Sequence, residues 1–201
     1  MRPSTQQFLE VEKVREGILI LKDGSMRGIV MVSSLNFALK SEEEQNAIIY
    51  QFQNFLNSLD FPIEICILSR RLNITSYIEK LKSLEKTQKN EFLRFQLQEY
   101  RKFVESLVAS GEIFTKSFYV IVPFYPLKAQ LVRGMPTEEE FQRGKFQLMQ
   151  RMEFVITGLK RCGLNAVILS SEEIIELLWS FYHQKESEFG LYPKIPPEII
   201  A

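Results

Sequence analysis

Residues 17–72, GILILKDGSMRGIVMVSSLNFALKSEEEQNAIIYQFQNFLNSLDFPIEICILSRRL, decide how this chain folds. Two branched apolar runs, 17–22 and 26–33, flank Asp23-Gly24. Such a dipeptide between β-prone runs predicts a tight hairpin, because both turn positions require positive φ. Residues 34–40 form a short connection, and Ser41 then opens a helix. Its hydroxyl can accept a backbone N–H while Glu44 reaches back to the cap, a reciprocal capping box. Apolar residues at 48, 49, 52, 55, 56 and 59 share one helical face. Asp60 stops the helix, Pro62 favours extended chain before it, and residues 63–68 read as a third strand. This stretch contains no catalytic constellation, which directs the reading toward an assembly or docking domain.

Working outward, residues 1–13 read as a polar arm anchored by Phe8, Leu9 and Val11. Downstream, residues 75–110 give the longest helical pattern, with apolar positions from Tyr77 and Ile78 through Phe92, Phe95, Tyr100, Phe103, Val104 and Leu107. At 1.5 Å per residue a continuous helix there would reach roughly 54 Å, wider than a domain of this size. The stripe thins over Glu85–Glu91, so the segment either projects as one helix or breaks near 87–91 into a helical hairpin. Residues 116–124 predict a fourth strand. Thr137 and Glu140 repeat the capping box before a helix that Gly163 closes. Residues 164–169 predict a fifth strand, and Ser170 or Ser171 caps a last helix. The order β-β-α-β-α-β-α-β-α predicts an α/β (α+β) fold: a mixed sheet of about five strands with an N-terminal β-hairpin and packed helices. Residues 14–186 are read as a single domain, and 187–201 as a proline-rich tail or linker.

Composition narrows the function classes. The chain has 201 residues, with 25 basic and 25 acidic side chains and zero formal net charge, so nothing global pulls it toward nucleic acid. No apolar run approaches the ~18 residues that span a bilayer, and the start lacks the apolar core of a secretory signal. A cytoplasmic protein is expected. Cys66 and Cys162 lack metal-ligand spacing and read as structural thiols. His183 is the single histidine, with no nucleophile motif beside it. No G-x-x-x-x-G-K-[ST] phosphate loop occurs. The acid runs Glu42–Glu44, Glu138–Glu140 and Glu172-Glu173 sit in the first turns of helices, where they complement the dipole and would repel a phosphate. No cofactor, metal or catalytic residue is therefore expected. Lys22, Arg27, Arg70 and Arg71 are the candidate polar contacts for a partner, since guanidinium forks suit acidic groups.

The segments KDGSMRGIVMVSSLNFALKSEEEQ, FLNSLDFPIEICILSRRLNITSYIEKL, FYVIVPFYP and ILSSEEIIELLWSFYH together resemble the N-terminal domain of TraC-like proteins. These are the conjugative transfer and type IV secretion ATPases of the TraC, TrbE and CagE group. The resemblance covers roughly residues 4–185. It implies a mixed α/β module that attaches a bacterial secretion ATPase to the cytoplasmic face of the inner membrane and contacts other subunits. The motor domain with its Walker motifs has no counterpart here, so the resemblance implies the docking half alone. Either it is a small protein acting beside a separately encoded motor, or it is part of a longer ATPase; Met1 favours a natural start.

The expected function is thus a non-catalytic component of a conjugative or type IV secretion apparatus. It would bind the ATPase motor, channel subunits or a second copy through the hairpin edge and the long helix. Membrane association would come through those partners, without direct nucleic-acid binding. Two alternatives stand beside it: a nucleic-acid-binding accessory module for DNA transfer, and a small α/β hydrolase.

Overall fold

The computed structural model describes residues 10–71, 75–109, 114–126 and 135–183. The first nine residues of the expected arm and the proline-rich tail lie outside them. The described elements are β1 (Val11–Arg15), β2 (Ile18–Leu21), β3 (Met26–Val32), α1 (Glu42–Asn57), β4 (Glu64–Arg71), α2 (Thr75–Thr87), α3 (Glu91–Ala109), β5 (Phe114–Phe124), α4 (Glu138–Arg161), β6 (Ala166–Ile168) and α5 (Ser171–Tyr182). The α/β composition and the N-terminal hairpin agree with the sequence reading. Within the span read as one domain, contacts gather into two compact units. The first holds residues 10–67, 117–126 and 135–178; the second holds 68–71, 75–109, 114–116 and 179–183.

The sheet has six strands in the order β1-β2-β3-β5-β4, with β6 added against β3. The sixth strand comes from β1, at the end of the segment read as an arm. Its sequence VEKVR is short and charged, and it becomes a strand because Glu16-Gly17 turns it back onto β2. Both turn residues have positive φ, 51° and 75°, and Arg15 faces Ile18 across them. This is the mirror-image two-residue turn that matches strand twist. The Asp23-Gly24 hairpin is longer than expected. Only Gly24 has positive φ, and the loop spans residues 22–25, closed by the Leu21 N–H on the Ser25 carbonyl at 2.9 Å.

β3 is the central strand. Along one edge it pairs with β5 over its whole length, from Met26 opposite Phe124 to Val32 opposite Phe118. Its other edge is shared: β2 meets Met26 and Arg27, and β6 meets residues 30–32. All four pairings with a described register are antiparallel, where a mixed sheet was expected. The β6 strand arrives at the vacant half of β3 through the short turn after α4, and that return sets its direction.

The core of the first unit lies between the sheet and α4. Ile18, Ile20, Met26, Val30, Val32, Val120 and Val122 point from the sheet; Phe141, Leu148, Met152, Val155 and Leu159 answer from α4. The spacing of the α4 residues is that of one helical face. α1 packs on α4 but buries only Phe55 fully. Ile49 and Leu56, expected on its inner face, are exposed. The alternate strand residues Leu19, Ile29 and Tyr119 are buried as well, as are Ile174 and Leu177 on α5, so the sheet carries apolar burial on both faces.

The second unit resolves the long helical pattern as a hairpin. α2 ends at Thr87 and α3 begins at Glu91. Asn90 caps α3, its side-chain oxygen accepting the N–H groups of Phe92 and Leu93 at 3.0 and 3.3 Å. The two helices are tied by Tyr77 and Tyr100, whose hydroxyls are 3.2 Å apart. Arg101 joins them too, bonding Glu85 at 3.2 Å and Glu105 at 2.9 Å. Leu81 is buried in this unit.

Candidate docking groove

The expected caps fix where α4 and α5 start. The Thr137 N–H and hydroxyl both reach Glu140, at 2.9 and 3.0 Å. Ser170 and Ser171 divide their work. Ser170 caps α5 with Glu173 (2.7 and 3.3 Å), while the Ser171 hydroxyl accepts the Gly17 N–H at 2.8 Å. Gly17 is required by its φ of +75° and by the Leu169 carbonyl, which would lie 3.2 Å from a Cβ.

Opposite that contact, the β1–β2 turn is clamped to the first turns of α4. The Arg15 guanidinium forks onto Glu138 at 2.7 and 2.9 Å and lies over the Phe141 ring, 4.4 Å from its centroid. Glu16 takes the Arg15 Nε at 3.2 Å and also pairs with Lys145. The Arg15 fork, and then a bond from Gln142, hold the Glu138 carboxyl down at about 2. Lys145, and after it Arg15, hold Glu16 below the usual carboxylate range.

The outer edge of β1 is shaped by a bulge: Val11 faces Leu21 and Lys13 faces Ile20, so Glu12 is the extra residue. A bulge and exposed charges at a sheet edge bend it away from further strand pairing.

A groove opens between α1 and α4. Gly158 lets the two helices approach. A Cβ there would fall 2.2 Å from the Phe55 ring. Beside this crossing lies a depression of about 420 Å³ floored by Phe55 and Phe154 and rimmed by Gln51, Asn54, Glu153 and Arg161. A second depression, about 500 Å³, adds Asp60, Phe61, Gln147 and Arg151. Ser58, Gln150 and Phe154 line both, so the two adjoin along α4. Arg151 is braced by the Phe61 ring (4.9 Å) and by a bond to the Pro123 carbonyl at 2.9 Å. Amide side chains above aromatic floors, with two acids and two cations, can hydrogen-bond an extended backbone while burying its apolar side chains.

The sequence-predicted contact residues fall elsewhere. Lys22 lies in the β2–β3 loop, its N–H on the Glu10 carbonyl at 2.9 Å. Arg27, just past the same loop, is held by the Met26 carbonyl (3.0 Å) and by the hydroxyl (3.2 Å) and ring of Tyr125. Arg70 is the penultimate residue of β4, in the second unit, and donates to the Ser180 hydroxyl. The Arg71 side chain lies outside the described residues. Lys22 and Arg27 therefore flank one loop, and Arg70 belongs to the other unit. The groove carries none of the four. Its one sequence signal is Gly158, an isolated glycine inside a helical pattern.

Among the described residues no group of His, Cys, Asp and Glu could hold a metal ion, and no helix is long and apolar enough to cross a membrane. His183 stacks on Trp179 at 4.4 Å. The Cys162 thiol is buried, its pKa pushed up by that burial.

The family model of the archaeal TraC-like domain matches residues 12–184. That description is archaeal, whereas the sequence reading pointed to a bacterial setting. No curated protein matches the chain.

Proposed function

We propose that this chain, which belongs to the archaeal TraC-like domain family, is a non-catalytic docking component of a conjugation or secretion apparatus. The family name supports the conjugation- and secretion-related role. The observation that carries the docking reading is the pair of adjoining depressions along α4, lined by aromatic and amide side chains. Its occupant is an extended segment of the motor ATPase or of a channel subunit at the cytoplasmic face of the membrane. The sheet edge at β1 is the weaker surface, because the bulge at Glu12 blunts it. Lys22 and Arg27 serve as polar contacts at the β2–β3 loop, apart from the groove.

Phe154 is 43 % exposed, so Phe154→Asp should leave the fold intact while spoiling the floor. The tagged full chain, captured from cells in which the apparatus assembles, should retain a motor or channel subunit identified by mass spectrometry, and Phe154→Asp should lose it. Recovery of no such subunit by the wild type overturns the reading. ATP turnover by the purified chain alone would overturn its non-catalytic part.

A further inference from the structure

The tip of the α2–α3 hairpin, residues 84–95, combines two features that nothing in the docking groove uses. It is apolar and exposed: Phe92 is 69 %, Phe95 60 %, Leu84 45 % and Leu93 43 % accessible. It is also cationic, with Lys86, Lys89 and Arg94 against Glu85 and Glu91, and Glu85 is already bonded by Arg101 at 3.2 Å. Further up α2, Lys80 and Lys82 outnumber Glu79. Aromatic and aliphatic side chains beside lysines, on a chain with no overall charge, form the pattern of a segment that lies in a membrane interface.

We propose that this tip docks directly onto an anionic lipid surface, with Phe92, Leu93, Phe95 and Leu84 entering the headgroup boundary and Lys86, Lys89 and Arg94 meeting the phosphates. Part of the turn's backbone is satisfied within the chain: Asn90 accepts from Phe92 and Leu93, and the Asn90 N–H reaches Gln88 at 3.2 Å. The Leu84 carbonyl takes the Gln88 N–H at 2.9 Å and the Thr87 hydroxyl at 3.1 Å. A second copy suits the face less well, because two tips of like charge would oppose each other. The proposal is independent of the groove, so either can fail alone.

The test is co-sedimentation of the full chain with vesicles of phosphatidylcholine alone and of phosphatidylcholine mixed with phosphatidylglycerol. The wild type should bind the mixed vesicles, bind neutral ones at least about tenfold more weakly, and lose binding as salt rises. Phe92→Ser/Phe95→Ser and Lys86→Glu/Lys89→Glu should each weaken binding by about tenfold or more. Both variants should keep the wild-type circular dichroism and partner capture through the groove. Wild-type failure to bind mixed vesicles, or binding unchanged in both variants, overturns the proposal. A concentration-dependent dimer that Phe92→Ser/Phe95→Ser abolishes, with no vesicle binding, overturns it in favour of a second copy.

Discussion

Glu138 keeps its charge in acid that would neutralise an ordinary glutamate, because the Arg15 fork and Gln142 both bond its ionised form. Its pKa falls from 4.5 to about 2 on folding, and the sign of the consequence follows from linkage. A carboxyl with a depressed folded pKa adds stability that is complete above its unfolded pKa and lost as pH falls through the folded one. Glu138 should therefore favour the folded state fully above about 4.5 and cease to do so near 2. Urea unfolding of wild type and Glu138→Gln should differ at neutral pH, and the two curves should converge across that acid window. The group is solvent-exposed, so added salt should narrow the difference. At the same turn, Gly17→Ala places a side chain at φ +75° against the Leu169 carbonyl. We expect a loss of about 1–2 kcal/mol in urea unfolding. Gly163→Ala shares a positive φ, but a Cβ there would meet nothing within 4 Å, so it should cost less than Gly17→Ala.

Helix crossings and helix ends carry the next set of consequences. Where α1 meets α4, Gly158→Ala would drive a methyl into the Phe55 ring. Overpacking of that kind costs about 1–3 kcal/mol. Phe55→Leu in the same chain should return part of it, a non-additivity that a double-mutant cycle on urea midpoints would read directly. Asn90→Ala removes the α3 cap and should cost about 1 kcal/mol of stability, read by hydrogen exchange at the amides of residues 92–94. These elements also divide what the sequence discloses from what it hides. The boxes at Ser41–Glu44, Thr137–Glu140 and Ser170–Glu173 close within four residues, so the local chain encodes them. The break after Thr87 shows as a thinned apolar stripe. Arg15 and Glu138 stand 123 positions apart, and no local pattern links them. β1 stays hidden because its alternation is masked by Glu12 and Lys13. The aromatic stripe of α3 is visible as helical spacing, but periodicity marks a face without saying what covers it; Phe92, Phe95 and Phe103 turn out exposed. The groove is built by two helices meeting at a glycine, and only that glycine could have signalled it.

At the scale of the whole molecule, the division into two units bears on how the chain opens. The clamp at Arg15, Glu16, Glu138 and Lys145 belongs wholly to the first unit, and the α2–α3 hairpin with its Arg101 network belongs to the second. Local opening free energies follow such cooperative groupings rather than chain order. Among the described residues the chain passes between the units within β4, within β5 and within α5, and none of these crossings is a loose linker. Two outcomes compete: opening confined to the damaged unit, or opening transmitted along those elements. The separate cores favour confinement, since the buried cluster around Met152 contains no residue of the hairpin. Hydrogen exchange followed by mass spectrometry should therefore show Arg15→Met accelerating exchange over residues 11–21 and 138–148. Peptides from 77–105 should stay at the wild-type rate, and Asn90→Ala should give the reverse pattern. Acceleration in both regions by Arg15→Met would mean that the shared elements couple the two units into one cooperative fold.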